Sequence, residues 1–322
     1  MAQKLAKNHK ILCTSRNYSQ VVELARLKHL NLLLVGRHCG SARKSKLKAS
    51  TRRVDRLTDI VSKFSPDLAI SFCSPEASRV AFGLGIKHIV FSDSPHAEAV
   101  MRLALPFAQK LLIPWVIPKD EFVKYGISRD DIIQYRAIDA APIVKNRSKI
   151  KPLVFSSNKK TIVIRLEESS AAYVLGKTSA SNEIISEFSK ESDRYNLLVL
   201  TRYGSQMAHL KKKFGKKARI ISMIDGKSLL SVTDLFIGSG GTMTAEAALM
   251  GIPTISYDAV PNYIEKYLVK IGLVKRETSP RNILRLAKKM LDKGPTNKRK
   301  AQRIINSMED PFSKLVVVIK SL

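Results

Sequence analysis

Apolar runs of five to seven residues punctuate the first part of the chain, at 10–15, 30–36, 67–73, 88–92 and 110–114. They are rich in Val, Ile, Leu and Phe, the mark of strands covered on both faces. Between them a helical period is read at 18–28, 52–64, 75–83 and 96–107. From 141 to 160 the pattern lapses into basic, Ser and Pro residues, which reads as a linker. The rhythm then resumes, with strands predicted at 161–166, 196–202, 218–222, 234–238 and 253–257. Helices are predicted at 180–192, 205–214, 227–232, 242–250 and 262–271, followed by a basic helical tail over 280–308. Pro311 precedes a last apolar helix. Such alternation predicts parallel βαβ units. The expected fold is α/β: two doubly wound, Rossmann-like domains facing a cleft, 1–145 and 146–310. A C-terminal helix at 311–322 is expected to pack back towards the first domain.

Composition narrows the field. Hydrophobic residues make up 44% and charged residues 26% of 322, as in an ordinary globular protein. No apolar run reaches the roughly 18 residues of a membrane span, and the first ten residues lack the apolar core of a secretory signal. Cys13, Cys39 and Cys73 form no CxxC, which points to reduced thiols and a cytoplasmic protein. The charge is what stands out: 56 Lys and Arg against 27 acids, a formal +29. Clusters at 41–56, 211–219 and 288–303 would attract a polyanion, either an anionic membrane or lipid-linked acceptor or, second, a nucleic acid. A solvated lysine-rich surface is the plain alternative. A peripheral position on the inner membrane face would fit the first of these.

One stretch carries a specific chemistry. At 237–256 a strand ends in Gly238-Ser239-Gly240-Gly241 and opens a helix at Thr242. Glycines let a backbone approach a phosphate, and the unpaired N–H groups at the positive end of a helix then point at its oxygens. Ser239 and Thr242 add hydroxyls. Glu246, one turn on, shares a face with Thr242 and can accept both hydroxyls of a ribose. A tight turn with a dipole-complementing acid would give the same letters. The GKS at 226–228 lacks the earlier glycine of a P-loop.

Residues 234–256 resemble the nucleotide-sugar motif of GT-B glycosyltransferases, in which small residues cradle the diphosphate and a helix glutamate holds the ribose. The layout of 67–108 is similar to UDP-N-acetylglucosamine 2-epimerase. Closer still is an uncharacterised prokaryotic family of GT-B-like proteins, whose elements are matched by 74–86, 92–97, 224–230 and 238–249. The resemblance covers nearly the whole chain. It implies an opening strand and loop ahead of Met1, so that the first strand of the N-terminal domain is expected to be missing. It also implies an acid after the strand 67–73, where this chain has Cys73 and Ser74. A histidine-arginine cluster after 161–166 is reduced to Arg165.

In the first domain Asp93, His96 and Glu98 follow a predicted strand. His96 could deprotonate an acceptor hydroxyl with Asp93 orienting it; alternatively Asp93 or Ser94 caps a helix and His96 is a first-turn polar residue. Glu98 lies where the resembled epimerases place a catalytic acid. Glu76, just after Pro75, reads as a helix-start residue. In the second domain Arg165 and Arg202 end strands and could clamp a diphosphate. The chain has no DxD, so no metal and no cofactor is expected. The reading is a glycosyltransferase-like protein that takes a nucleotide-diphosphate sugar. Its alternatives are a nucleotide-sugar 2-epimerase or a non-catalytic polyanion-binding protein of the same fold.

Overall fold

A computed structural model describes residues 1–18, 21–22, 25–26, 29–37, 39–40, 42–146, 158–167, 180–202, 204–222, 224–257, 262–294 and 296–322. The chain divides into two compact units, Met1–Arg136 with Asp310–Leu322, and Ala137–Glu309. The segments predicted as a helix at 18–28 and as the linker beyond 146 lie partly or wholly outside the described residues.

In the first unit, β1 (Thr14–Asn17) and β2 (Leu33–Arg37) form a two-stranded parallel sheet. A second parallel sheet runs β3 (Leu68–Ser71), β4 (Lys87–Phe91), β5 (Lys110–Pro114) and β6 (Ile132–Tyr135). Strands β4 and β5 are buried along their apolar residues. Helices α1 (Arg43–Phe64), α2 (Pro75–Gly83) and α3 (Glu98–Ala104) connect them. Helix α1 begins nine residues earlier than the pattern at 52–64 predicts, because its first turns are lysine-rich and carry little apolar signal.

The second unit opens with α4 (Ala140–Lys145), a helix where the sequence reads as the start of a linker. Its sheet is built from β7 (Lys160–Arg165), β8 (Tyr195–Leu200), β9 (Arg219–Ile221), β10 (Leu235–Gly238), β11 (Thr254–Ser256) and β12 (Lys275–Arg276). All pairs are parallel, in the order β12-β11-β10-β7-β8-β9. Helices α5 (Ser181–Ser189), α6 (Gly204–Phe214), α7 (Gly226–Ser231), α8 (Thr242–Leu249) and α9 (Tyr263–Lys270) alternate with the strands. Alternate strand residues face opposite layers. Ile162, Ile164, Val199 and Ile237 pack on Ile184 and Phe188 of α5 and on Ile283 and Leu291, whereas Val163, Leu198 and Phe236 pack on Leu229, Leu230 and Ala247. The basic tail is two helices, α10 (Pro280–Lys293) and α11 (Lys298–Asn306), separated where Gly294 takes φ +67°. Helix α12 (Pro311–Ser321) returns to the first unit.

Candidate functional site

The strand order of the second unit reverses at β7. From it the chain proceeds outward to β8 and β9, then crosses to the other side to lay down β10 and beyond. Open parallel sheets leave a crevice at the carboxyl ends of the strands flanking such a reversal, and ligands bind there. Here those ends are Arg165 on β7 and Gly238 on β10.

The loop from Gly238 to Gly241 is shaped by what its glycines omit. A Cβ at Gly238 would lie 2.5 Å from the Phe236 ring and 2.6 Å from the Thr244 hydroxyl. Gly240 takes φ +78°, in the left-handed region. Gly241 is the N-cap of α8, extended at φ −83° and ψ −169°, with no side-chain cap. Its exposed position and that of Thr242 leave the helix end open to solvent. The first N–H groups of a helix have no partner within it, so α8 presents donors and the positive end of its dipole to an anion. Ser239 is half-buried beside them.

The two strand-end arginines brace each other's strands. Arg165 Nη1 donates to the Thr201 carbonyl at 2.8 Å, and Arg202 Nε donates to the Leu166 carbonyl at 3.0 Å. With Nε held, the Arg202 fork reaches the glycine loop: its Nη2 lies 3.7 Å from where a Gly241 Cβ would stand. Arg202, Gly241 and Thr242 therefore converge, while Arg165 stands on the flanking strand. A guanidinium at the positive end of a helix makes the place strongly anion-seeking.

Glu246 is half-buried on α8. Burial, and then the neighbouring Asp225 charge, push its carboxyl up to about 7. A Cβ at Gly226 would stand 3.5 Å from Glu246 Oε2, so the carboxylate borders the start of α7. Asp225 caps that helix, accepting from Ser228 N and Ser228 Oγ at 3.0 Å each. Asp225 was missed as a site residue. Its helix-cap signature, an acid three residues ahead of a serine, is readable, but its place beside Glu246 is a tertiary fact. Asn262 was missed as well: it caps α9 through Glu265 N at 2.8 Å and turns its Nδ2 to the Gly240 carbonyl at 3.4 Å. Behind it Glu265, 2% exposed, accepts from Arg276 Nη1 at 2.6 Å and from Ser256 Oγ at 2.5 Å.

In the first unit Asp93 and His96 follow β4. The Asp93 carboxylate accepts from Ser94 Oγ at 2.6 Å, and the turn is pinned by Tyr125 donating to the Pro95 carbonyl at 2.8 Å. Helix α3 starts at Glu98 with Ala97 at its cap and no side-chain cap. Neither Asp93 nor Ser94 is therefore spent on capping. Burial lowers the His96 pKa below its ordinary value, against the opposing pull of Asp93. Glu98 stands apart, its side chain 62% exposed and paired with Arg102 at 2.7 Å. Glu76 stands in the first turn of α2, as expected, but it is not the cap. Ser74 caps α2 at 3.4 Å, and Glu76 is buried among Arg16, Arg53 (3.1 Å) and Ser50 (2.9 Å). Cys73, at φ +46°, is an inert thiol, pushed up to about 12 chiefly by burial. Among the described residues no three His, Cys, Asp or Glu side chains could hold a metal ion together. No helix there is long and apolar enough to cross a membrane.

Residues 3–321 match the family model described as "Protein of unknown function (DUF354)". An uncharacterized protein of Methanocaldococcus jannaschii is 31% identical over 271 residues, 80% of this chain and 77% of that one. Among solved structures, the UDP-GlcNAc 2-epimerase of Neisseria meningitidis bound to UDP-GlcNAc is similar with a TM-score of 0.68 and 15% identity, over 99% of this chain and 94% of that one. The UDP-GlcNAc 2-epimerase of M. jannaschii in complex with UDP-GlcNAc and UDP gives 0.65 and 15%, over 95% and 93%. The glycotransferase of kitacinnamycin gives 0.64 and 12%, over 100% and 94%. At these identities the likeness is one of fold: two Rossmann-like units, as in GT-B glycosyltransferases and UDP-GlcNAc 2-epimerases.

Proposed function

The chain belongs to the DUF354 family, and on that premise we propose that its second unit binds a nucleotide-diphosphate sugar for transfer to an acceptor hydroxyl. The observation that carries this reading is the uncapped start of α8, with Gly241 and Arg202 converging on one anion-sized place and Glu246 one turn beyond. The diphosphate would meet Ser239, the N–H groups after Gly241, the Thr242 hydroxyl and the Arg202 fork. Glu246 would accept the ribose hydroxyls. Arg165 at the adjoining strand end and the glycines Gly238 and Gly240 complete the binding set.

In the transfer, the acceptor oxygen forms a bond to the anomeric carbon while the bond from that carbon to the diphosphate oxygen breaks. The nucleoside diphosphate leaves with the electron pair, and its new charge falls to the helix end and Arg202. The acceptor's proton goes to a base. His96 is the candidate, since a lowered pKa keeps it unprotonated at neutral pH, with Asp93 orienting it. Glu98, exposed and ion-paired, is given no role. An epimerase would need an acid in the turn after β3, and the Cys73 thiol there is inert.

The test is a thermal-shift screen of nucleotide sugars, because ligand binding stabilises by mass action whatever the reaction. A subset should raise the melting temperature of the wild type and fail to do so with Gly241→Ala. No shift with any nucleotide diphosphate sugar, together with retained salt-sensitive binding of RNA or lipid, would replace this reading by that of a non-catalytic polyanion binder.

A further inference from the structure

Helix α1 extends beyond the body it packs on. Its inward stripe runs Leu47, Val54, Leu57, Val61, residues that fall on one side of a helix. Leu57 is 2% exposed and packs with Val35 and Val80, with Val54 and Val61 half-buried against them. Leu47, two turns earlier in the same stripe, is 67% exposed. Among the described residues the stripe has run past its partner. In a βα unit the helix starts near the carboxyl end of the preceding strand, so the free turns of α1 stand at the carboxyl end of β2. At the carboxyl end of β3, Phe72 is 63% exposed, its ring stacked on Phe91 with centroids 5.2 Å apart.

Around Leu47 the charge has one sign. Arg43, Lys44, Lys48 and Arg52 are exposed and Lys46 half-buried. Between Glu23 and Asp55 the sequence has no acid at all. An exposed leucine adds nothing to a contact with a nucleic-acid backbone, α1 itself offers no exposed aromatic ring among its cations, and Phe72 already spends one ring face on Phe91. Cations ringing exposed apolar side chains instead suit an interface where head groups are anionic and the layer beneath is hydrocarbon.

We propose that this rim of the first unit docks on the surface of an anionic lipid bilayer, with Leu47 and Phe72 entering the interface and Arg43, Lys44, Lys46, Lys48 and Arg52 lying on the head groups. The proposal rests on residues of the first unit alone and stands or falls without the nucleotide-sugar reading.

The experiment is co-sedimentation of the full chain with vesicles of phosphatidylglycerol and phosphatidylcholine, and with phosphatidylcholine alone. Binding should require the anionic lipid and weaken as salt is raised. Arg43→Glu with Lys44→Glu and Lys48→Glu should weaken it ~100-fold, about fivefold per cation removed. The same number of reversals on α11, at Lys298, Lys300 and Arg303, should cost under ~5-fold, the effect of a single cation. Leu47→Ser with Phe72→Ser should cost about tenfold on vesicles and leave heparin binding unchanged. Leu47→Ser alone, at a side chain outside the core, gives the same sign should the double variant melt early. Absent vesicle binding, equal losses from the α11 reversals, or an apolar pair without effect would each overturn the proposal. So would structured RNA that binds in place of vesicles and is lost with the same α1 reversals.

Discussion

Glu246→Gln separates stability from function in one side chain. Folding lifts the Glu246 carboxyl from its ordinary 4.5 to about 7, through burial first and Asp225 second. Below pH 4.5 both folded and unfolded chains are protonated there, and nothing is lost. Between 4.5 and 7 the unfolded chain gives up its proton first, so stability falls as pH rises. Above 7 both are ionised and the full deficit is present. At 1.36 kcal/mol per pKa unit it amounts to about 3 kcal/mol. Glutamine keeps size and helix propensity and abolishes the titration. The variant should match wild type near pH 4.5 and exceed it by up to about 3 kcal/mol at pH 8, roughly 6–12 °C in the melting of a unit this size. Affinity should move the other way. Losing a charged acceptor from two ribose hydroxyls weakens nucleotide-sugar binding by about ten- to a hundred-fold at pH 8. The gap should narrow at pH 5.5, where the wild-type carboxyl is itself protonated. Denaturant melts and calorimetric titrations at the two pH values read both effects. Parallel stability curves for the two proteins across pH 4.5–8 would refute the buried-carboxylate argument. Unchanged affinity for every nucleotide sugar that binds the wild type would refute the ribose role.

Three further outcomes follow from the same geometry. Asp225→Asn preserves a good N-cap for α7 while removing the second charge beside Glu246, so the alkaline loss of stability should shrink in pH-dependent melts. Gly241→Ala, at φ −83° with only a 3.7 Å contact to Arg202, should leave folding within ~1 kcal/mol yet block phosphate approach; Gly238→Ala, meeting atoms at 2.5 and 2.6 Å, should instead lower the melting temperature outright. Glu76→Gln strands the buried Arg53 guanidinium and should cost about 3–5 kcal/mol. Despite burial, Arg16 and the surrounding donors hold the Glu76 carboxyl below its ordinary range. The ion pair's contribution is therefore complete above pH 4.5 and disappears as pH falls through the folded value, which acid melts of wild type and variant will show.

The second unit was the more legible half of the chain. Its strands are flanked by helices on both faces, so their apolar runs are unbroken and visible without tertiary information. The two strands that went unseen are β6, four residues behind a one-turn 3-10 helix, and β12, whose two residues are both cations. The first is too short for its apolar residues, Ile132, Ile133 and Tyr135, to set a period, and the second has none. The same holds for the first turns of α1, where lysines surround Leu47 and leave little apolar signal. At the site, the strand, glycine loop and helix start are contiguous in sequence, and so Gly238 to Glu246 could be picked out together. Asp225, Asn262 and the mutual bracing of Arg165 and Arg202 depend on which strands lie side by side, and no local spacing encodes that. Glu98 illustrates the reverse: it sits near the right strand in sequence, but the helix turns its side chain outward to Arg102.

Helix α12 bears on how this protein is made. The first unit is assembled from Met1–Arg136 and Asp310–Leu322, joined by contacts such as Lys4 to Asp310 at 2.5 Å and the Lys4 ammonium over the Phe312 ring at 4.9 Å. Everything between those segments in sequence is the other unit. The first unit therefore cannot close until residues 310–322 have been synthesised, however early its other segment emerges. Until that helix is in place, Leu315 and Val318, both at most 3% exposed in the finished fold, have not been withdrawn from water. The half whose translation begins first is completed only with the last helix.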